Sequence, residues 1–264
     1  MKNILRILSI LLLTCFSFFY TDKVINMINK KDPLMIEINN VKDEYKVFPV
    51  NAIIEGDTIV PGTKGMEVDI YKSYDEMKLG GIFRKEELVY KDLFPNDSLS
   101  NNRDKYIIKG NSSRKNVSLL VIFNIDDIDK INSIDNVTVF INHENLTIAN
   151  INMIKNKEIY SYGNGGIYNE NILVNDNTII NRVANNKSKY CLLKDKDNSI
   201  LELCNGNGMY TIVPTIIGDY SDVKNNLSNG SIILLTNNRN ISIVSRYITS
   251  KGYEIIRLSK LLEE

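Results

Sequence analysis

Residues 230–264 read GSIILLTNNRNISIVSRYITSKGYEIIRLSKLLEE, and this stretch decides the fold. The run Ile232, Ile233, Leu234, Leu235 has the apolar, partly β-branched character of a strand. A short polar loop follows. Ile241, Val244, Tyr247 and Ile248 then recur at helical spacing, and Gly252 stands where a left-handed helix cap belongs. Residues 253–256 predict a second short strand and 259–264 a closing helical turn, so the segment is a βαβ unit ending in a surface helix.

The same alternation extends backwards to residue 116. Strands are expected at 117–123, 137–141, 158–160, 190–193, 210–213, 232–235 and 253–256. Helices are expected between them at 127–134, 144–154, 171–184, 199–204, 222–227 and 240–251. Repeated βα steps imply a parallel sheet or barrel whose functional loops follow the strand C-termini. At about 148 residues, residues 117–264 are short for a full barrel, so an abbreviated or open one is expected.

Residues 32–115 read differently, as short apolar runs between turn signals. A hairpin is expected around Gly56-Asp57, a helix at 73–79, and strands at 88–90 and 106–108. This is a small α+β or mostly β region, and the polar stretch 109–114, KGNSSR, reads as the linker that closes it. The expected organisation is thus 1–21 as signal anchor or signal peptide, 22–31 as stalk, 32–115 as the small region and 116–264 as the α/β domain.

At the N-terminus Lys2 and Arg6 precede an apolar run at 7–20, the charge and length pattern of an export signal. Counted from Ile4 the run is about 17 residues, at the lower limit for a membrane span. An uncleaved anchor with the bulk of the chain outside the cytoplasm is expected, with secretion after cleavage as the alternative. Hydrophobic residues make up 43% of the 264, enough for a sizeable core. Lys+Arg and Asp+Glu are equal at 32 each, so no basic field exists to hold nucleic acid. Of three cysteines, Cys15 lies in the export segment and leaves Cys191 and Cys204. In an exported domain this pair is either a disulfide, worth up to about 3 kcal/mol for so short a loop, or two buried thiols. Neither lies beside a His or a second Cys at metal-ligand spacing.

The C-terminal unit resembles that of the polysaccharide deacetylase (NodB-homology) family, which ends in an apolar strand carrying a catalytic His, a helix, "GY", a strand and "L-S-x-L-L". The resemblance implies an irregular (β/α) barrel and also exposes what is missing. Thr236 stands in place of the His. Where the family's first strand ends in two aspartates, this chain has Ile122-Phe123-Asn124, with Asp126 and Asp127 late and suited to opening a helix. The family's H-E-I-x-x-H-x-x-x-H motif, whose two later histidines hold a divalent metal, corresponds to 157–166; Glu158-Ile159 fit, but Tyr162 and Gly166 occupy the ligand positions. The groove-shaping R-P-P-Y-G survives only as strand character at 191–195, and the family's Asp-Trp is matched by Asp219-Tyr220. The sole histidine, His143, reads as a solvated loop residue.

By the family's mechanism the chain is then expected to be an inactive, membrane-anchored homologue with no cofactor. Its role would be to bind cell-wall polysaccharide or peptidoglycan, or to pair with a protein whose identity the sequence leaves open. Tyr162, Tyr168, Tyr190 and Tyr220 are the candidate sugar-stacking residues, against the plainer reading that they complete the core. One alternative keeps activity, with Asp126, Asp127, Glu158 and Asp219 converging in one cleft. Another makes 32–115 the working part of a structural envelope protein.

Overall fold

The structure is a computed structural model, and it describes residues 7–8, 10–17, 31–184 and 188–264. In chain order the strands are β1 (Ile53–Glu55), β2 (Thr58–Val60), β3 (Gly65–Val68), β4 (Tyr90–Leu93), β5 (Tyr106–Ile107), β6 (Asn116–Ile122), β7 (Thr138–Ile141), β8 (Glu158–Ser161), β9 (Tyr190–Leu192), β10 (Tyr210–Ile212), β11 (Ile216–Gly218), β12 (Ile232–Leu235) and β13 (Glu254–Ile255). They group into two compact units, Met1–Pro49 with Lys64–Leu93, and Val50–Thr63 with Phe94–Glu264.

In the smaller unit, β3 and β4 form an antiparallel ribbon beside helices Pro33–Val41 and Ile70–Met77. Both helices start on aspartate caps: Asp32 accepts from the Leu34 N–H and Asp69 from the Lys72 N–H. Asp32 also accepts from the Tyr74 hydroxyl at 3.0 Å, which ties one helix start to the other helix. Leu34, Ile38, Val68, Met77 and Leu88 form the core. Residues 10–17 are helical, with Ile10 through Leu13 and Phe16 more than half exposed. Among the described residues no helix is long and apolar enough to cross a membrane, and much of the expected anchor and stalk lies outside the described residues.

The larger unit is an α/β fold of mainly parallel strands. One sheet runs β11-β12-β6-β7-β8, all parallel, with β13 also on β6. The other runs β1-β2-β5-β10-β9, parallel except for the β1–β2 hairpin. Each strand from β6 onward coincides with an expected one to within two residues, except β11, which the sequence reading missed. The expected boundary at residue 115 does not match the contact grouping. The hairpin and β5, read as part of a preceding region, pair into the same sheet as β9 and β10.

Two side chains stitch the sheets together. The Tyr168 hydroxyl receives the Leu192 N–H at 3.0 Å and reaches the Ser161 and Leu192 carbonyls at 3.2 and 3.3 Å, so it spans the break between β8 and β9. Thr215 donates to the Ile108 carbonyl at 2.6 Å and accepts from the Ile232 N–H at 3.2 Å, which joins the β5 end to β12. Both devices satisfy backbone groups that neither sheet could pair by itself.

Side chains alternate along the strands and fill two layers. Leu120, Phe140, Tyr160, Leu192, Ile212 and Leu234 point inward and pack with Ile107 and with Leu258, Leu261 and Leu262 of the closing segment. Val121, Val139, Ile141, Ile159 and Ile233 point outward beneath the helices. Helix Ile241–Ser250 buries Ile241, Val244 and Ile248 completely, each contributing on the order of 2 kcal/mol of apolar transfer. Gly252, at φ 77°, ends it as the sequence reading expects.

Candidate functional site

In a parallel α/β fold, the residues just past the strand C-termini are the place to look for chemistry. The alternation established by the inner core carries Asn124 after β6, Asn142 after β7, Tyr162 after β8, Lys194 after β9 and Thr236 after β12 to the inner side. This mouth is polar, yet its donor set is two amides, a phenol, an ammonium and a hydroxyl.

Such a set does not fit a catalytic divalent cation, which needs imidazole or carboxylate donors. Among the described residues, no group of three or more His, Cys, Asp or Glu side chains could hold a metal. Backbone geometry adds a second obstacle. Gly166 sits at φ +93°, and a Cβ there would lie 3.3 Å from the Tyr162 hydroxyl, so an imidazole at 166 would start from a strained conformation.

The four carboxylates considered for catalysis do not converge. Glu158 opens β8, opposite Thr138 at the start of β7, and therefore lies at the other end of the sheet from the mouth. It is spent on structure: it accepts from the Thr138 hydroxyl at 2.8 Å, the Tyr160 hydroxyl at 2.9 Å and the Ser259 N–H at 3.2 Å, holding down helix Leu258–Leu261. Asp219 caps helix Tyr220–Asn226 in a reciprocal capping box with Asp222. The N–H and hydroxyl of Ser221 hold its carboxyl below the usual range. Asp127 pairs with Lys130 at 2.8 Å, and Asp126 lies exposed in the turn that precedes helix Ile128–Asn132.

The four tyrosines considered for sugar stacking do not form one exposed platform. Tyr162 and Tyr168 are 3% and 4% exposed, too deep to offer a ring face to a sugar. Burial pushes both phenols upward, Tyr168 the more strongly. Tyr220 is part-buried and packs edge-on against Tyr247 at 5.3 Å. Tyr190 belongs to an aromatic row through the interior, 5.1 Å from Tyr160 and 6.0 Å from Tyr210, and its edge reaches a surface groove at the strand N-termini. The core reading thus describes Tyr162 and Tyr168. Cys191 and Cys204 are bridged, with Cα atoms 6.5 Å apart, and fasten β9 to helix Asn198–Gly206.

One polar cluster escaped the sequence reading. His143 is not simply solvated: its Nδ1 lies 2.6 Å from an Asp176 carboxylate oxygen, and the Ser161 hydroxyl donates to the other oxygen at 2.5 Å. Asp176 is fully buried on helix Glu170–Ala184. By the alternation of β7 and β8, His143 and Ser161 face outward toward that helix, so this triad is a fastening between layers and does not line the mouth. Only an acid on the apolar stripe of 171–184 hinted at it.

No family model matches the chain. Over 92 residues it is 38% identical to an uncharacterized protein, YlxY, of Bacillus subtilis (strain 168), a stretch amounting to 34% of this chain and 29% of that protein. Among solved structures it resembles a wild-type CE4 family pseudoenzyme from Bacillus anthracis, with 21% identity and a TM-score of 0.62 over 89% of this chain and 96% of that one. A mutant of that pseudoenzyme with restored enzymatic activity matches at 20% identity and a TM-score of 0.63, over 88% and 98%. A peptidoglycan N-acetylglucosamine deacetylase matches at 14% identity and a TM-score of 0.50, over 60% of this chain and 95% of that one. The chain therefore has the CE4 deacetylase fold. The pseudoenzyme likeness extends over more of the chain than the deacetylase likeness does.

Proposed function

We propose that this protein is a degenerate member of the polysaccharide deacetylase family that is exported, lacks deacetylase activity and binds cell-wall glycan. One observation carries the reading: the fold is retained while Asn124, Tyr162, Gly166 and Thr236 occupy the mouth positions where the family's metal ligands and catalytic His would stand. Without the metal-activated water on which the family's chemistry depends, amide hydrolysis lacks the main source of its rate enhancement.

Export is supported by the basic-then-apolar N-terminus and by the Cys191–Cys204 bridge, since structural disulfides persist outside the reducing cytoplasm. An N-terminal membrane anchor is part of the same proposal. Glycan as the ligand is supported by the peptidoglycan N-acetylglucosamine deacetylase among the structural neighbours.

The test is to purify the chain, measure bound metal, and assay both deacetylation and binding of N-acetylglucosamine oligomers and peptidoglycan. Binding with neither metal nor turnover is expected. Stoichiometric metal accompanied by acetate release would overturn the reading.

A further inference from the structure

At the N-terminal ends of β9 and β10, opposite the strand-tip mouth, lies a groove of about 620 Å³. That is ample for one or two sugar rings. Tyr190 and Tyr210, the first residues of their strands, lie along it with the loop that carries Arg103 and the segment after Leu258.

Two features point to a ligand. Tyr190 is 5% exposed as a residue, and its hydroxyl, which makes no hydrogen bond to the described residues, stands at the groove as an available donor. Arg103 is held in one orientation, its guanidinium 5.0 Å over the Tyr210 ring and one nitrogen donating to the Gly208 carbonyl at 2.9 Å. Among the described residues neither Arg103 nor the exposed Lys189 has a carboxylate partner. The other charges in the groove are committed. Lys260 pairs with Glu263, and Glu264 accepts from the Leu99 N–H at 2.9 Å and the Gly62 N–H at 3.2 Å. Two cations thus lack a carboxylate partner among the described residues, one of them a pre-oriented fork, and a phenolic donor stands beside them. This is a complement for an anion.

We infer that this groove binds a saccharide through an anionic substituent, a carboxylate or a phosphate. The inference rests on the glycan-binding reading above and moves the contact from the strand-tip mouth to the opposite face. Arg103 and Lys189 take the anion, the Tyr190 hydroxyl donates to the saccharide, and Ser100 and Ser259 at the rim serve its hydroxyls.

The full chain would be titrated calorimetrically with three probes: a muramic-acid muropeptide bearing free carboxylates, a glycerol-phosphate teichoic acid, and neutral chitotetraose. One anionic probe is expected to bind at least tenfold more tightly than chitotetraose, and which one it is identifies the source of the anion. Arg103→Ala and Lys189→Ala should each weaken that binding about tenfold, Arg103→Lys should recover part of it, and Tyr190→Phe should cost severalfold; circular dichroism checks that each variant is folded. Equal affinity for charged and neutral probes would overturn the inference. So would anionic binding that ignores the Arg103 and Lys189 changes, although glycan binding itself would then stand. Failure of all three probes would defeat both readings.

Discussion

At the scale of single residues, Asp176 shows how a polar group becomes part of a core. A carboxylate with no solvent exposure is tolerable because the Ser161 hydroxyl and the His143 ring both satisfy it. Asp176→Ala should therefore lower stability by about 3 kcal/mol, since it strands a buried hydroxyl and unties a helix from two strands; urea denaturation measures this. Asp176→Asn, which keeps acceptor and volume, should cost markedly less. If both variants unfold with wild-type midpoints, the cluster has no fastening role. His143 was visible in the sequence as the sole histidine. Its partner was not, because a contact across 33 residues depends on how a helix docks and leaves no local pattern.

Among the elements, the helices and the repeated strands were legible because each carries its own period and caps. Residues 241–250 have apolar spacing and a terminal glycine, and 232–235 are uniformly apolar. β11 was missed because three residues, Ile216 to Gly218, give no period to read. The join between β8 and β9 was equally hidden, since it depends on one tyrosine hydroxyl at 168 bonding backbone atoms of both strands. Burial holds the phenols of Tyr168 and Tyr190 well above the usual range. The folded state therefore keeps these protons at pH values where the unfolded chain, with phenols near pH 10, has released them. Their contribution to stability is full below about pH 10 and is lost as the pH rises beyond it toward the folded values. Ultraviolet titration should accordingly show at least two of the 14 tyrosines ionising only together with alkaline unfolding. Smooth titration of every tyrosine in a still-folded protein would contradict the burial that makes Tyr168 a bridge.

For the whole molecule, the α/β repeat from residue 116 onward suggests a self-sufficient domain, and the pairing of strands denies it. β5 lies between β2 and β10, and its Ile107 is fully buried in the inner core. A fragment of residues 116–264 should therefore lack a cooperative unfolding transition, because it exposes one edge of β10 and leaves a void where Ile107 packs; sharp two-state melting of that fragment would refute the assignment. The sequence by itself determined the βα order from residue 116 apart from β11, the glycine stop of helix Ile241–Ser250, the family resemblance and the residue types that stand where the family has its metal ligands, because each is written in residue type and local spacing. Tertiary structure alone decided that the hairpin and β5 join the sheet of β9 and β10, that Glu158 lies at the opposite end of its sheet from the mouth, that Asp176 meets His143, and that Arg103, Lys189 and Tyr190 share one groove. These depend on which distant segments pair and which face each strand turns inward, and the packing of the whole chain sets both.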